Sequence, residues 1–579
     1  MASIKQAIKS TVAENVVFKP AFRLLEKDPV KNFPKLLDWA DKFTKGNQYN
    51  TTVNNFRGWW EKQTWQGQLM KRILETVNVQ YLKKFVLNYF LNTGVKGQPI
   101  AKENSKRLGV NVPWAILMDP TSACNLKCIG CWAAEYGKHY NLTYEKMDDI
   151  ITQGKELGTY MYLFSGGEPL VLKKDLIRLA EKHNDCAFGA FTNATLIDED
   201  FVEDLLRVGN FTFMISIEGT KEETDARRGD GTYDAVIHAM ELLKNAGIPF
   251  GYSACYHSKN YETIGSMEFQ QSMIDAGCYF GWLFTYMPIG KDAVPELCVT
   301  PEQREYMYYK VREYRSIEKG IPIFLMDFWN DGEYVGGCIA GGRRYFHINS
   351  RGDCEPCAFI HYATHNINEC TLEEALQSPL FKAYQQGQPF SDDLLRPCPL
   401  LDCPDGLCEC VKSSGAHPTQ DLDLEDVDSL TAKTKPVAEK WKVKADEIWE
   451  RVTSPSQAAQ TPLSTSMLIP QQTVWLKAAE TWDIPNGKAT RNSSHRKSKR
   501  ERKLSKPAER LQRKRTSNQH TSCKKRSHRS VNLSTKSRQF KKVTQSPFQF
   551  CTEVGFVIKC ICGSFSIEVF YESGNHFFS

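Results

Sequence analysis

The chain has 579 residues, is 41% hydrophobic and 25% charged, and carries a formal net charge of +6, a size that suits three or four globular domains. Residues Met1 to Lys9 lack the continuous apolar stretch of a secretory signal, and no run is long enough to span a bilayer, which argues against an exported or integral membrane protein. Its 19 cysteines therefore point to metal binding in a reducing, cytoplasmic setting and not to a disulfide framework.

Residues 1–105 read as a helical N-terminal domain. Leu82, Phe85, Val86, Tyr89 and Phe90 form an i, i+3, i+4, i+7, i+8 stripe, Gly94 stands where a C-terminal cap belongs, and Pro34 suits a first helical turn. The stripe is expected to pack on a neighbouring domain, with a helix lying on a membrane surface as the alternative. From 112 to 325, short apolar runs alternate with amphipathic segments. Strands are predicted at 114–119, 160–165, 186–192, 211–217, 249–256 and 279–286. Helices are predicted near 143–157, 175–183, 198–208, 233–246 and 265–276, with Gly247 and Gly277 as stops. Thr300 and Gln303 look like a capping box that opens one more helix. Six such β-α units imply an α/β fold with parallel strands, as an open sheet or a partial (β/α)6 TIM-type barrel; the partial barrel is the expectation taken forward. Ligands of these folds sit at the C-terminal ends of the strands. Residues 326–412 turn Gly- and Cys-rich, with a short strand at Arg344–Asn349 and a turn at Ser350–Asp353; residues 413–452 return to helix. Beyond 453 the composition is that of a disordered tail.

Cys124, Cys128 and Cys131 follow the first predicted strand as CxxxCxxC, and Gly166-Gly167-Glu168-Pro169 closes the second. Three thiolates on one loop can hold three irons of a [4Fe–4S] cube and leave the fourth open to a substrate or cofactor. A zinc knuckle is the other reading, but zinc wants four closed ligands and this loop has no fourth Cys or His. The two features together resemble the radical S-adenosylmethionine (SAM) enzymes, in which the open iron chelates the amino and carboxylate groups of SAM. The resemblance implies a cluster on Cys124, Cys128 and Cys131. It also implies SAM contacts from the Ser165-Gly166-Gly167-Glu168 turn and from polar residues ending the third and fourth strands, here Asn193, Ser216 and Glu218. Arg228, with Arg227 as its rival, is the candidate partner of the SAM carboxylate. For Asn193 and Ser216, simple turn-capping is an equal alternative. One departure stands out: the residue before the third cysteine is usually aromatic in this family and is Gly130 here, so Trp132 is the candidate cover for that side.

Cys338, Gly352 and Cys357 resemble the opening half of the auxiliary-cluster domain (SPASM, or its shortened Twitch form) that follows many radical SAM barrels, with Gly352 serving a hairpin turn. The closing cysteines depart from that pattern: Cys398, Cys403, Cys408 and Cys410 are spaced by four, four and one residues. The implied reading is one auxiliary [4Fe–4S] cluster on Cys338, Cys357 and Cys398, with Cys403 or Cys354 as fourth ligand or the fourth site open. Zinc on Cys354, Cys357 and two later cysteines is the alternative. Cys186, Cys255, Cys278 and Cys298 read as plain buried thiols. The resemblance spans about residues 112–410.

The resemblance implies reductive cleavage of SAM to a 5′-deoxyadenosyl radical that takes hydrogen from a substrate. Proteins with this tail domain most commonly modify ribosomally made peptides, so a precursor peptide is the expected substrate. A small molecule or RNA is the alternative, and a non-catalytic iron–sulfur electron carrier is a further one. A flavodoxin- or ferredoxin-like protein is the expected one-electron donor. Residues 488–542 carry 21 Lys/Arg against 2 Asp/Glu, an excess of 19, so the rest of the chain nets −13. This stretch is expected to be either a disordered extension or no natural continuation of the chain, with salt-dependent nucleic-acid binding as a third reading.

Overall fold

The computed structural model describes residues 19–45, 50–290, 292–453, 554–561 and 564–571. The basic run at 488–542, with the readings given for it, lies outside the described residues. The chain separates into two units, Met1–Asn486 and Gly487–Ser579. In the second, strands Val554–Ile561 and Ser564–Tyr571 pair as an antiparallel hairpin.

The first unit is built on one nine-stranded sheet. Its strands are β1 (Ala115–Met118), β2 (Met161–Phe164), β3 (Ala187–Thr192), β4 (Phe211–Ser216), β5 (Phe250–Tyr256), β6 (Phe280–Thr285), β7 (Phe324–Asp327), β8 (Tyr345–Ile348) and β9 (Cys354–Glu355), in the order β7-β6-β5-β4-β3-β2-β1-β8-β9. Strands β1 to β7 run parallel in chain order, and β8 joins parallel to the other side of β1. All six predicted strands are present. A seventh, β7, was not anticipated, because Phe324-Leu-Met-Asp327 is too short to show a period. The sheet stays open, with β7 and β9 at its edges, which is the partial barrel in outline.

Alternate residues serve two layers. Ile116, Met118, Tyr162, Phe164, Phe188, Phe213 and Ile215 pack beneath the helices, whereas Ala115, Leu117, Met161, Leu163 and Met214 line the concave face. The predicted helices fall at Tyr144–Leu157, Lys173–Lys182, Glu199–Val208, Thr232–Ala246 and Met267–Ala276, with left-handed Gly247 and Gly277 at the last two ends. Thr300 and Gln303 do form a capping box on Pro301–Tyr314.

The N-terminal helices close one end of this sheet. Tyr89 Oη donates to the Phe188 carbonyl at 2.7 Å, Tyr81 Oη donates to that of Phe211, and Arg72 donates to the carbonyls of Ile274 and Cys278. Phe188, Phe211 and Cys278 lie at or just before the N-terminal ends of β3, β4 and β6, and Ile274 in the last turn of the helix that precedes β6. The predicted stripe is thus core and not a membrane face: Tyr89 is buried with Phe85 and Phe90 against the concave layer. Two local expectations fail. Gly94 caps nothing, because a π-helical stretch, Val86–Gly97, carries the chain straight into Gln98–Leu108, which ends at Gly109. Pro34 lies inside Pro29–Thr44, where Pro29 takes the first turn after the Asp28 cap.

At the other end of the chain, the predicted helix at 413–452 is two helices, Pro404–Ser414 and Val427–Thr453. Trp441 of the second donates to the Leu395 carbonyl at 3.0 Å and stacks under the Arg304 guanidinium, 4.2 Å from the ring centre. Among the described residues no helix is long and apolar enough to cross a membrane.

Candidate metal centre

The cysteine loop leaves the C-terminal end of β1, and neighbouring strand ends hold it from several sides. Gly167 N–H donates to the Thr121 carbonyl at 3.0 Å, and Glu168 N–H donates to that of Ala123 at 2.8 Å. A Cβ on Gly167 would lie 2.2 Å from the Ala123 oxygen and 2.6 Å from that of Ser122. The Gly-Gly pair therefore lets the turn press on the backbone leading into Cys124, a neighbour nearer than any ligand. Ser165 is buried and donates to Asp119 at 2.7 Å. Glu168, also buried, accepts from Thr192 Oγ1 (2.6 Å), Asn193 N–H (2.7 Å) and Leu170 N–H (3.0 Å), so it organises the end of β3. Burial pushes its carboxyl up against these hydrogen bonds. Asn193 in turn donates to Asn125 of the cysteine loop at 2.8 Å, while Asn125 donates to Thr195. Ser216 ends β4 half-buried, in register with Ser253.

From β4 comes a cationic clamp. Glu218 is fully buried, and its Oε1 accepts from Arg228 Nε (2.8 Å) and Nη2 (2.5 Å) and pairs with Arg227 Nη1 at 2.7 Å. Its Oε2 is buried with no hydrogen-bond partner among the described residues. Burial alone would raise this carboxyl, but the two guanidiniums hold it below its ordinary range. Arg228 Nη1 reaches Cys128 Sγ at 4.0 Å. Arg227 grips the loop at Ile129, its carbonyl accepting from the Ile129 N–H at 2.9 Å and its Nε donating to the Ile129 carbonyl at 3.3 Å.

The three thiols act electrostatically on one another. Burial, then the neighbouring Glu168 and the other two cysteines, pushes Cys124 up to about 11. Burial also raises Cys131, against the pull of Arg227 and Arg228. Three crowded thiols at the open end of a sheet, faced by two arginines and an unused carboxylate oxygen, are a donor set that suits a thiolate-bound cluster with a polar co-ligand; loading it must release protons. Among the described residues, no three His, Cys, Asp or Glu side chains converge as closely as one metal ion needs.

Gly130, in the left-handed region at φ +62°, faces Tyr286 beyond β6, whose Oη would lie 2.6 Å from an added Cβ. The ring expected just before the third cysteine is thus supplied from another strand. Trp132 turns the other way, stacking on His361 at 6.0 Å and meeting Phe359 edge-on at 5.8 Å. Asp119, Asn125, Thr192 and Tyr286 were missed from sequence; only the odd Gly130 hinted at a compensating ring.

A second thiol trio forms from Cys338, Cys357 and Cys398. Burial raises all three, Cys357 to about 12; Cys357 also feels Cys338, and Cys398 feels both of the others. Cys403 instead sits against the Arg396 carbonyl at 3.6 Å, and burial and Asp402 push it up to about 12. Cys354 turns towards the Gly352 carbonyl and Cys370, away from the pairing with Cys357 that a zinc site would need. Gly352 does make the β8–β9 turn, at φ +94°.

One buried network joins the two regions. His347 of β8 pairs with Asp119 at 2.9 Å and Glu355 at 2.7 Å, and Glu355 also accepts from Tyr136 of the cysteine loop at 2.8 Å. Burial would lower His347, yet the two carboxylates push it up to about 10. A base raised above its unfolded value near 6.5 contributes its full stability below that pH and loses it as pH climbs through about 10. We expect His347→Gln to cost about 3–5 kcal/mol at pH 7, by removing the cation from between two buried carboxylates, among whose remaining partners Ser165 on Asp119 and Tyr136 and Asn349 on Glu355 are neutral donors. In urea unfolding, the gap between wild type and variant should narrow as pH rises from 7 to 10; a constant gap would refute the charged pairing.

Residues 118–268 match the model of the radical SAM superfamily, and residues 338–404 match that of SPASM, an iron–sulfur cluster-binding domain. The chain therefore carries a radical SAM domain followed by a SPASM domain, the pairing found in enzymes with a SAM-binding [4Fe–4S] cluster and auxiliary iron–sulfur. Relatives include an uncharacterised protein of Archaeoglobus fulgidus, 30% identical over 44% of this chain and 64% of that one, so the chain spans just under two thirds of that relative's length. A PqqA peptide cyclase of Granulibacter bethesdensis is 27% identical over 55% of this radical SAM chain and 87% of its own. An AdoMet-dependent heme synthase of Methanosarcina barkeri is 25% identical over 46% and 82%.

Proposed function

We propose that Cys124, Cys128 and Cys131 hold the SAM-binding cluster and that the enzyme modifies a ribosomally made peptide. The observation that carries the first part is the cysteine loop fastened at once to the Gly166–Gly167 turn, to Asn193 and to Arg227. When bound, such a cluster with one open iron supplies the reductive cleavage of SAM and so a 5′-deoxyadenosyl radical that takes hydrogen from the substrate. The chain's own residues do the placing. Arg227 and Arg228, with Oε1 of Glu218 between them, present positive charge beside Cys128 to a carboxylate. The free Oε2 of Glu218 is an acceptor for a hydroxyl or ammonium of the cofactor. Glu168 acts one step back, holding Thr192 and Asn193 in place. Half-buried Phe191, Trp282, Phe284 and Phe328 meet ring to ring on the concave side, an apolar wall that keeps water from a radical.

The peptide reading is supported by the PqqA peptide cyclase likeness over most of that relative's length. The heme synthase likeness, nearly as long on its own chain, favours a tetrapyrrole as the second reading. The test is anaerobic reconstitution with SAM and dithionite, assayed for 5′-deoxyadenosine by mass spectrometry, then with a short peptide encoded beside the gene or with an iron porphyrin. A mass change in the peptide alone supports the proposal. Release of 5′-deoxyadenosine with only the porphyrin altered overturns the substrate class, and no release from clusters that are intact overturns the enzyme reading in favour of an electron carrier.

A further inference from the structure

The trio Cys338, Cys357 and Cys398 is faced by two tyrosine hydroxyls. Tyr345, the first residue of β8, brings Oη to 2.8 Å from Cys357 Sγ. Tyr384, on the helix Pro379–Gly387, brings Oη to 4.0 Å from Cys338 Sγ. Both rings are held. Tyr345 is fixed in the sheet opposite Ala115 of β1. The Tyr384 ring lies flush on Gly341, where an added Cβ would fall 2.4 Å from a ring carbon, and Phe390 meets its edge at 5.0 Å. Each phenol feels the charge of all three cysteines, so the hydroxyls and sulfurs share one enclosed space.

We propose that Tyr345 and Tyr384 donate hydrogen bonds to the thiolates of an auxiliary iron–sulfur cluster on Cys338, Cys357 and Cys398 and thereby raise its reduction potential. An iron-bound thiolate carries no proton, so in each pair the phenol must be the donor. Donation draws charge off sulfur and favours the more negative, reduced state of the cluster. The shorter contact gives Tyr345 the larger share. The effect poises the cluster to receive an electron. Both tyrosines are positioning residues for the metal centre and touch no substrate. The inference rests on the reading that this trio holds a cluster, and the experiment separates the two.

The full chain is prepared anaerobically with Cys124, Cys128 and Cys131 replaced by alanine, so that only auxiliary signals remain. Iron and sulfide are counted and the potential is titrated by electron paramagnetic resonance. Tyr345→Phe should keep its iron and shift the reduction equilibrium about tenfold towards the oxidised form, about 60 mV lower for one electron. Tyr384→Phe should move it the same way by less, and the double variant by roughly the sum. Unchanged potentials at full iron content overturn the proposal. So does loss of the cluster in Tyr345→Phe while Tyr384→Phe keeps both iron and parental potential, because Tyr345 would then be a ligand or a strut. Failure of the underlying reading looks different: the parent with both tyrosines intact would itself hold no iron.

Discussion

Replacing any one of Cys124, Cys128 or Cys131 by alanine is expected to abolish 5′-deoxyadenosine formation and to lower bound iron by about four per chain, with the fold retained. The reason lies in where these thiols sit. They are on a loop whose shape is set by backbone bonds to Thr121, Ala123 and Arg227, none of which uses the cysteine side chains. Deleting a sulfur therefore removes a ligand without removing the frame. Cys124 and Cys131 also pay desolvation, Cys124 most plainly, so alanine relieves a burden there. The check is mass spectrometry for the nucleoside, iron assay, and urea unfolding of each variant. A variant with full iron and wild-type nucleoside release would refute the ligand assignment, and iron loss accompanied by collapse of the unfolding midpoint would refute the independence of loop and ligands.

The second large effect is predicted at Gly167. Valine there would bring a Cβ to 2.2 Å from a main-chain oxygen and 2.6 Å from the attached carbon, and main chain cannot swing aside as a flexible side chain can. Relief requires the turn to lift off the cysteine loop. Overpacking of this kind costs about 1–3 kcal/mol, and each of the two backbone bonds lost with it about 1 kcal/mol. The sum is a large part of the roughly 5–15 kcal/mol that holds a domain together. Gly167→Val should thus lower the urea midpoint and lose iron even though every cysteine remains. Gly58, with open space around it in the helix Asn50–Lys62, is the control: Gly58→Ala should leave both unchanged or slightly improved. Full iron retention in Gly167→Val would show that the turn does not support the loop.

Much of the architecture could be read from residue order, and the reasons are local. Strands β1 to β6 announced themselves because each is a short apolar run between amphipathic segments, several of which stop at a glycine such as Gly158, Gly209, Gly247 or Gly277. The three cysteines and the Gly-Gly-Glu turn stood out because both fall at strand C-terminal ends. What escaped was whatever depends on distant segments meeting. Tyr286 fills the space above Gly130 from more than 150 positions away, and nothing near either residue signals the other. Glu218 stood out as a polar residue after a strand, but its burial between two arginines is a product of how the helix Lys221–Arg228 folds back and could not be read from order alone. Gly94 misled because a π-helical stretch lets a glycine pass through a helix without ending it.

The pairing of β8 with β1 carries a practical consequence. The iron–sulfur region is no appendage, since it supplies an inner strand of the same sheet as the SAM-binding half. A fragment cut after β7 would leave the outer flank of β1 with bare amide and carbonyl groups and strip Asp119 of its imidazole. Such a piece would present a sticky ribbon to its own copies, so dissecting this enzyme into halves for separate expression should give aggregates, and trimming is better confined to the far C-terminus.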